Sequence, residues 1–317
     1  MATTPREVAL PEPTIIRWLA GRSFARREQL WGYLFIAPWV VGFLLFTMLP
    51  MAAALWFSLT DFDLRRPEEI NFIGLRNYER LLADGQVLHS LAITVRFILI
   101  TVPLNLAFAL GLAVLLTSRR VAGKTVLRTL FYMPMQIPLV AATLIWLSVL
   151  NGSTGWLNQI LAAAGIHGPD WIGDSSWVLV ALALIGIWGV GNMMLIFIAG
   201  LQGVPTELYD AAKVDGAAAW TTFRKITIPL ITPILFYNLL ISLVTSFQVF
   251  VQPWVLKNGI PDQSTNLFNV NLYREAFVFN QLGYASALGW VLFGVILAVT
   301  VVLFRSSRRW VYYAAER

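Results

Sequence analysis

Six stretches of this chain are each long and apolar enough to cross a bilayer: residues 34–57, 93–116, 130–150, 177–200, 228–251 and 284–304. Crossing about 30 Å of hydrocarbon takes roughly 17–25 residues of helix. An isolated strand leaves its backbone unpaired in lipid, so helix is the reading for all six. The expected fold class is an all-α membrane protein with six transmembrane helices. Prolines inside the spans (Pro38, Pro50, Pro103, Pro138 and Pro233) predict kinks or breaks there. Composition agrees: 58% of the 317 residues are hydrophobic and 13% are charged, against roughly 25% charged in soluble domains. The first apolar run is too long for a cleaved signal peptide and reads as an uncleaved span.

The basic residues are distributed unevenly. Sixteen of the 23 lysines and arginines fall on one side of this topology. They are Arg6, Arg17, Arg22, Arg26 and Arg27 before the first span; Arg119, Arg120, Lys124 and Arg128 after the second; Lys213, Arg224 and Lys225 after the fourth; and Arg305, Arg308, Arg309 and Arg317 at the end. Cytoplasmic loops carry such an excess, so both termini are expected in the cytoplasm. The pI near 9.8 is then a topological bias, with no call for nucleic acid. The expected organisation is a cytoplasmic segment 1–30, a membrane domain 31–310 with a cytoplasmic loop 201–227, and a cytoplasmic tail 311–317.

No aspartate or glutamate lies within any span. Carriers driven by protons or sodium keep carboxylates in mid-membrane, where a charge costs at least about 2.5–3.5 kcal/mol and is retained only for function. A stand-alone secondary carrier of a small polar solute is therefore the weaker alternative, separable by uptake under an ion gradient alone. A membrane-embedded enzyme is weaker still. The two histidines, His89 and His167, stand apart from other ligating groups, no Ser/His/Asp grouping exists, and there are no cysteines. No metal site and no catalytic centre are expected, so energy for uphill movement must come from a partner. "SRRVAGKT" (118–125) comes close to a phosphate-binding loop, but Ser118 replaces its first glycine and a membrane span replaces the preceding strand. It reads as a short basic turn.

Between the fourth and fifth spans lies "ELYDAAKVDGAAAW", residues 207–220. Pro205 and Thr206 suit a helix start, Glu207 and Asp210 suit its positive end, and Gly216 permits a bend or tight contact. Such a helix, tied to two spans, is either an ordinary interfacial helix or a lever that a cytoplasmic partner pushes. Asp210-Ala211-Ala212, three residues, Gly216, nine residues, then Ile226-Thr227-Ile228-Pro229 resembles the EAA loop of ABC-importer permeases, E-A-A-x3-G-x9-I-x-L-P. Asp210 and Ile228 depart from it conservatively. "LFIAPWVVGFLLFTMLP", "NFIGLRNY", "VLRTLFYMPMQIP" and "WVLKNGIPD" extend the resemblance along nearly the whole chain, toward the maltose-type branch that imports carbohydrates. The resemblance implies a type I importer permease in a bacterial or archaeal cytoplasmic membrane, with Glu207, Asp210, Ala211, Ala212 and Gly216 coupling it to an ATPase. It implies a second homologous permease, two ATP-binding subunits and an extracytoplasmic solute-binding protein as partners. ATP and Mg²⁺ would be used by the ATPase subunits and no cofactor held by this chain.

The fifth span carries a polar stripe: Asn238, Ser242, Thr245, Val249 and Gln252 fall within about 80° of arc on a helix. Ser246 and Gln248 flank it, and Trp188 and Asn192 share a face of the fourth span at i,i+4. Hydroxyls, amides and an aromatic face suit a neutral sugar, and small polar groups also bond helices to one another in membranes. Trp188, Asn192, Asn238, Ser242, Thr245, Ser246 and Gln248 are the expected pathway residues. Arg96 stands at the outer end of its span, placed to snorkel or to meet an anion such as a glycerol phosphate.

Overall fold

The computed structural model describes residues 14–118 and 121–312. Arg6, Arg119, Arg120 and Arg317, with the rest of 1–13 and 313–317, lie outside the described residues, as do the side chains of Arg17, Arg22, Arg26 and Arg27. The chain divides into two units, Met1–Trp56 and Phe57–Arg317. In the first, α1 (Thr14–Phe43) runs unbroken through the boundary expected at residue 30. It passes into a π turn at Leu44–Met48 and then α2 (Leu49–Ser58). Pro50 cannot donate a backbone hydrogen bond to the preceding turn, and the ladder widens in that stretch, with Leu49 N–H reaching back to Leu44. Trp31–Ser58 has the length and hydropathy of a membrane span.

The second unit is organised around one long helix. After α3 (Arg76–Ala83), Asp84 caps the start of α4 (Gly85–Thr117) by accepting from Gln86 N–H, and α4 continues for 33 residues, about 50 Å. Pro103 lies inside it without ending it. Next come α5 (Lys124–Tyr132), a 3₁₀ turn at Met133–Gln136, α6 (Leu139–Val149) and α7 (Trp156–Ala163). Then follow α8 (Val178–Trp188), α9 (Gly191–Gln202), α10 (Thr206–Val214) and α11 (Ala219–Thr222). Beyond a π turn at Phe223–Thr227 stand α12 (Ile228–Leu230), α13 (Thr232–Phe247), α14 (Val251–Leu256) and α15 (Phe268–Tyr273). A last π turn, Arg274–Val278, leads to α16 (Leu282–Ser307).

Among the described residues three helices are long and apolar enough to span alone, and with each of three bent pairs taken as one span the number is six. The third apolar run is bent by 103° between Gln136 and Leu139, the fourth by 54° between Trp188 and Gly191, and the fifth by 68° at Ile231. Pro138 and Pro233 stand at two of these breaks. The break in the fourth run has no proline, and the expectation of one continuous helix there is corrected: Gly189 and Val190 leave helical geometry after Trp188.

Packing makes α4 the centre. Its N-terminal half contributes Ile93, Phe97, Ile98 and Val102 to a core shared with α8, α15 and α16. Its C-terminal half contributes Ala109, Leu112, Ala113 and Leu116 to a second core with α9 and Ile231. Ala109 and Ala113 are fully buried, and their small side chains let neighbouring backbones approach closely. Hydrogen bonds hold the connecting segments, one of them directly to this post. Phe268 N–H donates to Thr94 Oγ1 at 2.8 Å, and Asn77 donates to the carbonyls of Ser58 and Thr60. Lys257 donates to the Ile172 carbonyl at 2.7 Å and pairs with Asp262 at 2.6 Å.

Candidate functional site

Polar side chains on α4, α9 and α13 face a common space. It is a cavity of about 630 Å³ lined by Phe97, Thr101 and Asn105 of α4, the end of α8, Asn192 and Met193 of α9, and one side of α13. Asn192, Asn238, Ser242, Thr245, Ser246 and Gln248 all line it, as do Val249 and Gln252. Their convergence rests on two local causes. The period of α13 carries Asn238, Ser242 and Thr245 along one face as far as Phe247. There the helix stops, with Gln248 as its C-cap, and the chain folds over the cavity before α14 starts at Val251. The stripe was read as continuous helix to Gln252. Gln248 and Val249 instead reach the cavity from a loop.

Trp188 is placed elsewhere. The break after it separates it from Asn192, so the i,i+4 relation expected for the pair does not hold. Trp188 lines a smaller, apolar cavity of about 330 Å³ and stands edge-on to Trp146, with ring centroids 6.0 Å apart. Sequence reasoning missed Thr101, Asn105 and Asn269 as lining residues. Asn269 also holds the cavity wall, donating to the Gln248 carbonyl at 2.9 Å. Arg96 is exposed and does not line the cavity.

The insert folds as a helix with defined ends. Thr206 and Glu207 open α10, and Ala212 alone of its residues is buried. Asp210 pairs with Lys213 at 2.6 Å on the exposed face, a surface pair worth little by itself. The helix closes on Gly216, whose φ of +67° is left-handed. Gly216 N–H reaches the Lys213 carbonyl and Ala217 N–H the Ala212 carbonyl, which satisfies the last turn. Thus the glycine serves the backbone, and a Cβ there would meet nothing within 4 Å. Tyr209 Oη and Thr227 Oγ1 are hydrogen-bonded at 3.0 Å, tying α10 to the start of the fifth span. Val214 and Trp220 are 88% and 70% exposed, so the loop presents apolar side chains outward.

A groove of about 800 Å³ runs beside this helix, bounded by Pro205, Leu208, Gly200, Ile234 and Tyr312. Tyr312 N–H donates to Thr232 Oγ1 at 2.9 Å, which holds Tyr312 there. "SRRVAGKT" leads from the C-terminus of α4 into α5, with Lys124 Nζ 3.4 Å from the Thr117 carbonyl. His89 hydrogen-bonds the Gln263 carbonyl at 3.1 Å. Among the described residues no three His, Cys, Asp or Glu side chains gather as a metal site.

Known proteins match this arrangement. Residues 105–316 match the family described as binding-protein-dependent transport system inner membrane component. The probable ABC transporter permease protein YesP of Bacillus subtilis is 38% identical over 92% of this chain and 94% of its own length. The trehalose/maltose transport system permease protein MalF of Thermococcus litoralis is 32% identical over 89% of this chain and 95% of its own. A chain of the bacterial alginate ABC transporter, solved with an alginate-bound periplasmic protein, has the same fold, with a TM-score of 0.78 over 90% of this chain and 96% of that one, at 21% identity. This chain is a member of the family of inner membrane components of binding-protein-dependent, ABC-type transport systems.

Proposed function

We propose that this multi-pass permease lines half of the route by which a sugar or oligosaccharide, handed over by an extracytoplasmic binding protein, enters the cytoplasm. The observation that carries the reading is the position of the uncharged, polar-lined cavity, bounded by α9 and α13, the two helices that flank the insert. Hydroxyls and amides exchange hydrogen bonds with sugar hydroxyls, and the relatives named for sugar transport agree with this chemistry. A second permease completes the route, and two ATPase subunits use ATP and Mg²⁺ to drive it. Both termini and Gly216 face the cytoplasm.

In this assignment α10 is the coupling helix. Glu207, Asp210, Ala211 and the exposed Val214, with Trp220 just beyond, form its contact with an ATPase subunit, while buried Ala212 and the hydrogen-bonded Tyr209 hold it to the membrane part. Helix-in-groove recognition relies on a few such apolar anchors. The test is reconstitution of the chain with its second permease, ATPase and binding protein in liposomes. ATP-dependent, binding-protein-dependent sugar uptake is expected. Uptake driven by an ion gradient without the ATPase would overturn the proposal.

A further inference from the structure

Among the described residues, the cavity contains three buried polar atoms without a hydrogen-bond partner: Thr101 Oγ1 and Asn105 Oδ1 on α4, and Asn238 Nδ2 on α13. Such atoms are rare in native proteins, and each calls for a ligand, a water or a functional reason. Thr101 breaks a habit of this chain. Thr94, Thr117, Thr129, Thr143 and Thr245 all turn their hydroxyls to the carbonyl four residues back. Thr101 is only 4% exposed and does not. It lies one helical turn from Asn105, so the two share a face of α4. Gly186 of α8 lies against both; a Cβ there would come within 3.1 Å of Asn105 Nδ2 and 3.4 Å of Thr101 Cγ2. The pair is thereby held in place by a neighbour with no side chain to bond it.

We propose that Thr101, Asn105 and Asn238 are a specificity-determining subsite that takes the hydroxyls of an uncharged sugar and selects against anionic ones; this rests on the cavity being the route of transport. A sugar hydroxyl both gives and accepts a hydrogen bond, and hydroxyl and amide groups match it in either sense. None of the 24 residues lining the cavity carries a charge. A carboxylate, sulfonate or phosphate would enter it with no counter-charge from this chain, at a high desolvation cost. Arg96, the charged residue of α4, is exposed and outside the lining.

The experiment uses the reconstituted four-component transporter in liposomes, with maltose, trehalose and arabinotriose as neutral probes and glycerol 3-phosphate and digalacturonate as anionic ones. The unaltered transporter should move a neutral probe in preference to both anions. Thr101→Val and Asn105→Leu keep the volume and remove the hydrogen bond, so each should lower kcat/KM for that probe by about tenfold, the scale of one lost bond to a ligand. Basal ATPase activity and ATPase co-purification should stay unchanged, and Thr101→Ser, which keeps the hydroxyl, should transport nearly normally. Unimpaired transport by both variants, preference for an anion, or loss of assembly in the variants would each overturn the subsite while leaving sugar import standing. If the unaltered transporter moved none of the five probes, the import reading itself would fail, and the subsite with it.

Discussion

Two residues outside the spans illustrate how single side chains fix this structure. Gly216 sits at φ +67° with open space around it, so alanine there meets no obstacle except its own backbone. A left-handed conformation costs a non-glycine residue about 1–2 kcal/mol, and asparagine tolerates it better. Gly216→Ala should therefore fray the end of α10 and weaken ATPase co-purification several-fold, with Gly216→Asn close to normal. Equal co-purification of all three would show that the turn does not matter to docking. Asp262 is the second case. Burial pushes its carboxyl up, but hydrogen bonds from Lys257, Ser264 and Thr265 outweigh this and hold it down at about 2. A depressed carboxyl contributes stability above its unfolded value of about 3.9 and loses it as pH falls through the folded one. The protection factors against hydrogen exchange in the 257–268 loop should stay constant from pH 7 to about 5 and fall between pH 4 and 2. A fall already at pH 6 would contradict it.

At the scale of elements, a hydrogen bond between Tyr209 and Thr227 links α10 to the fifth span, beside a π turn at Phe223–Thr227. Removing it with Tyr209→Phe should cost about 1 kcal/mol locally. If α10 transmits movement, this variant should retain its ATPase partner but transport fewer molecules per ATP hydrolysed. An unaltered transport-to-hydrolysis ratio would place the transmission elsewhere. Elements were unevenly legible in the sequence. The α13 face could be read because Asn238, Ser242 and Thr245 recur at helical spacing in an apolar run. Thr101 and Asn105 stand in an equally apolar run but as one isolated pair, and only the approach of α8 and α13 to α4 gives them a shared space. Pro103 suggested a break where α4 continues, whereas Gly189 gave no warning of the break after Trp188. Packing on a neighbour decides such cases, and a one-dimensional pattern does not contain it.

For the whole molecule, the six apolar runs and the lysine and arginine bias were legible because hydrocarbon thickness and membrane potential act on the chain segment by segment. The bends of 103°, 54° and 68° were not, since they express how the segments share space around α4. Topology remains open to a direct check. Single cysteines at Gly74 and Asp262 should react with an impermeant reagent on intact cells, and one at Gly216 should not; the chain has no native cysteine to interfere. Labelling at Gly216 with protection at Gly74 would invert the orientation.

The tether at Tyr312 also affects how this protein is handled in the laboratory. Its N–H is held by Thr232 Oγ1, and its ring borders the groove beside Pro205 and Leu208. Anything joined directly after Tyr312 would emerge beside the surface assigned to the ATPase. A bulky carboxy-terminal fluorescent protein would therefore compete with the motor subunits for access, and a fusion that looks well expressed would still be a poor transporter. Detection handles belong at the other end of the chain, and a cleavable carboxy-terminal fusion becomes a simple block on docking, released on demand by a protease.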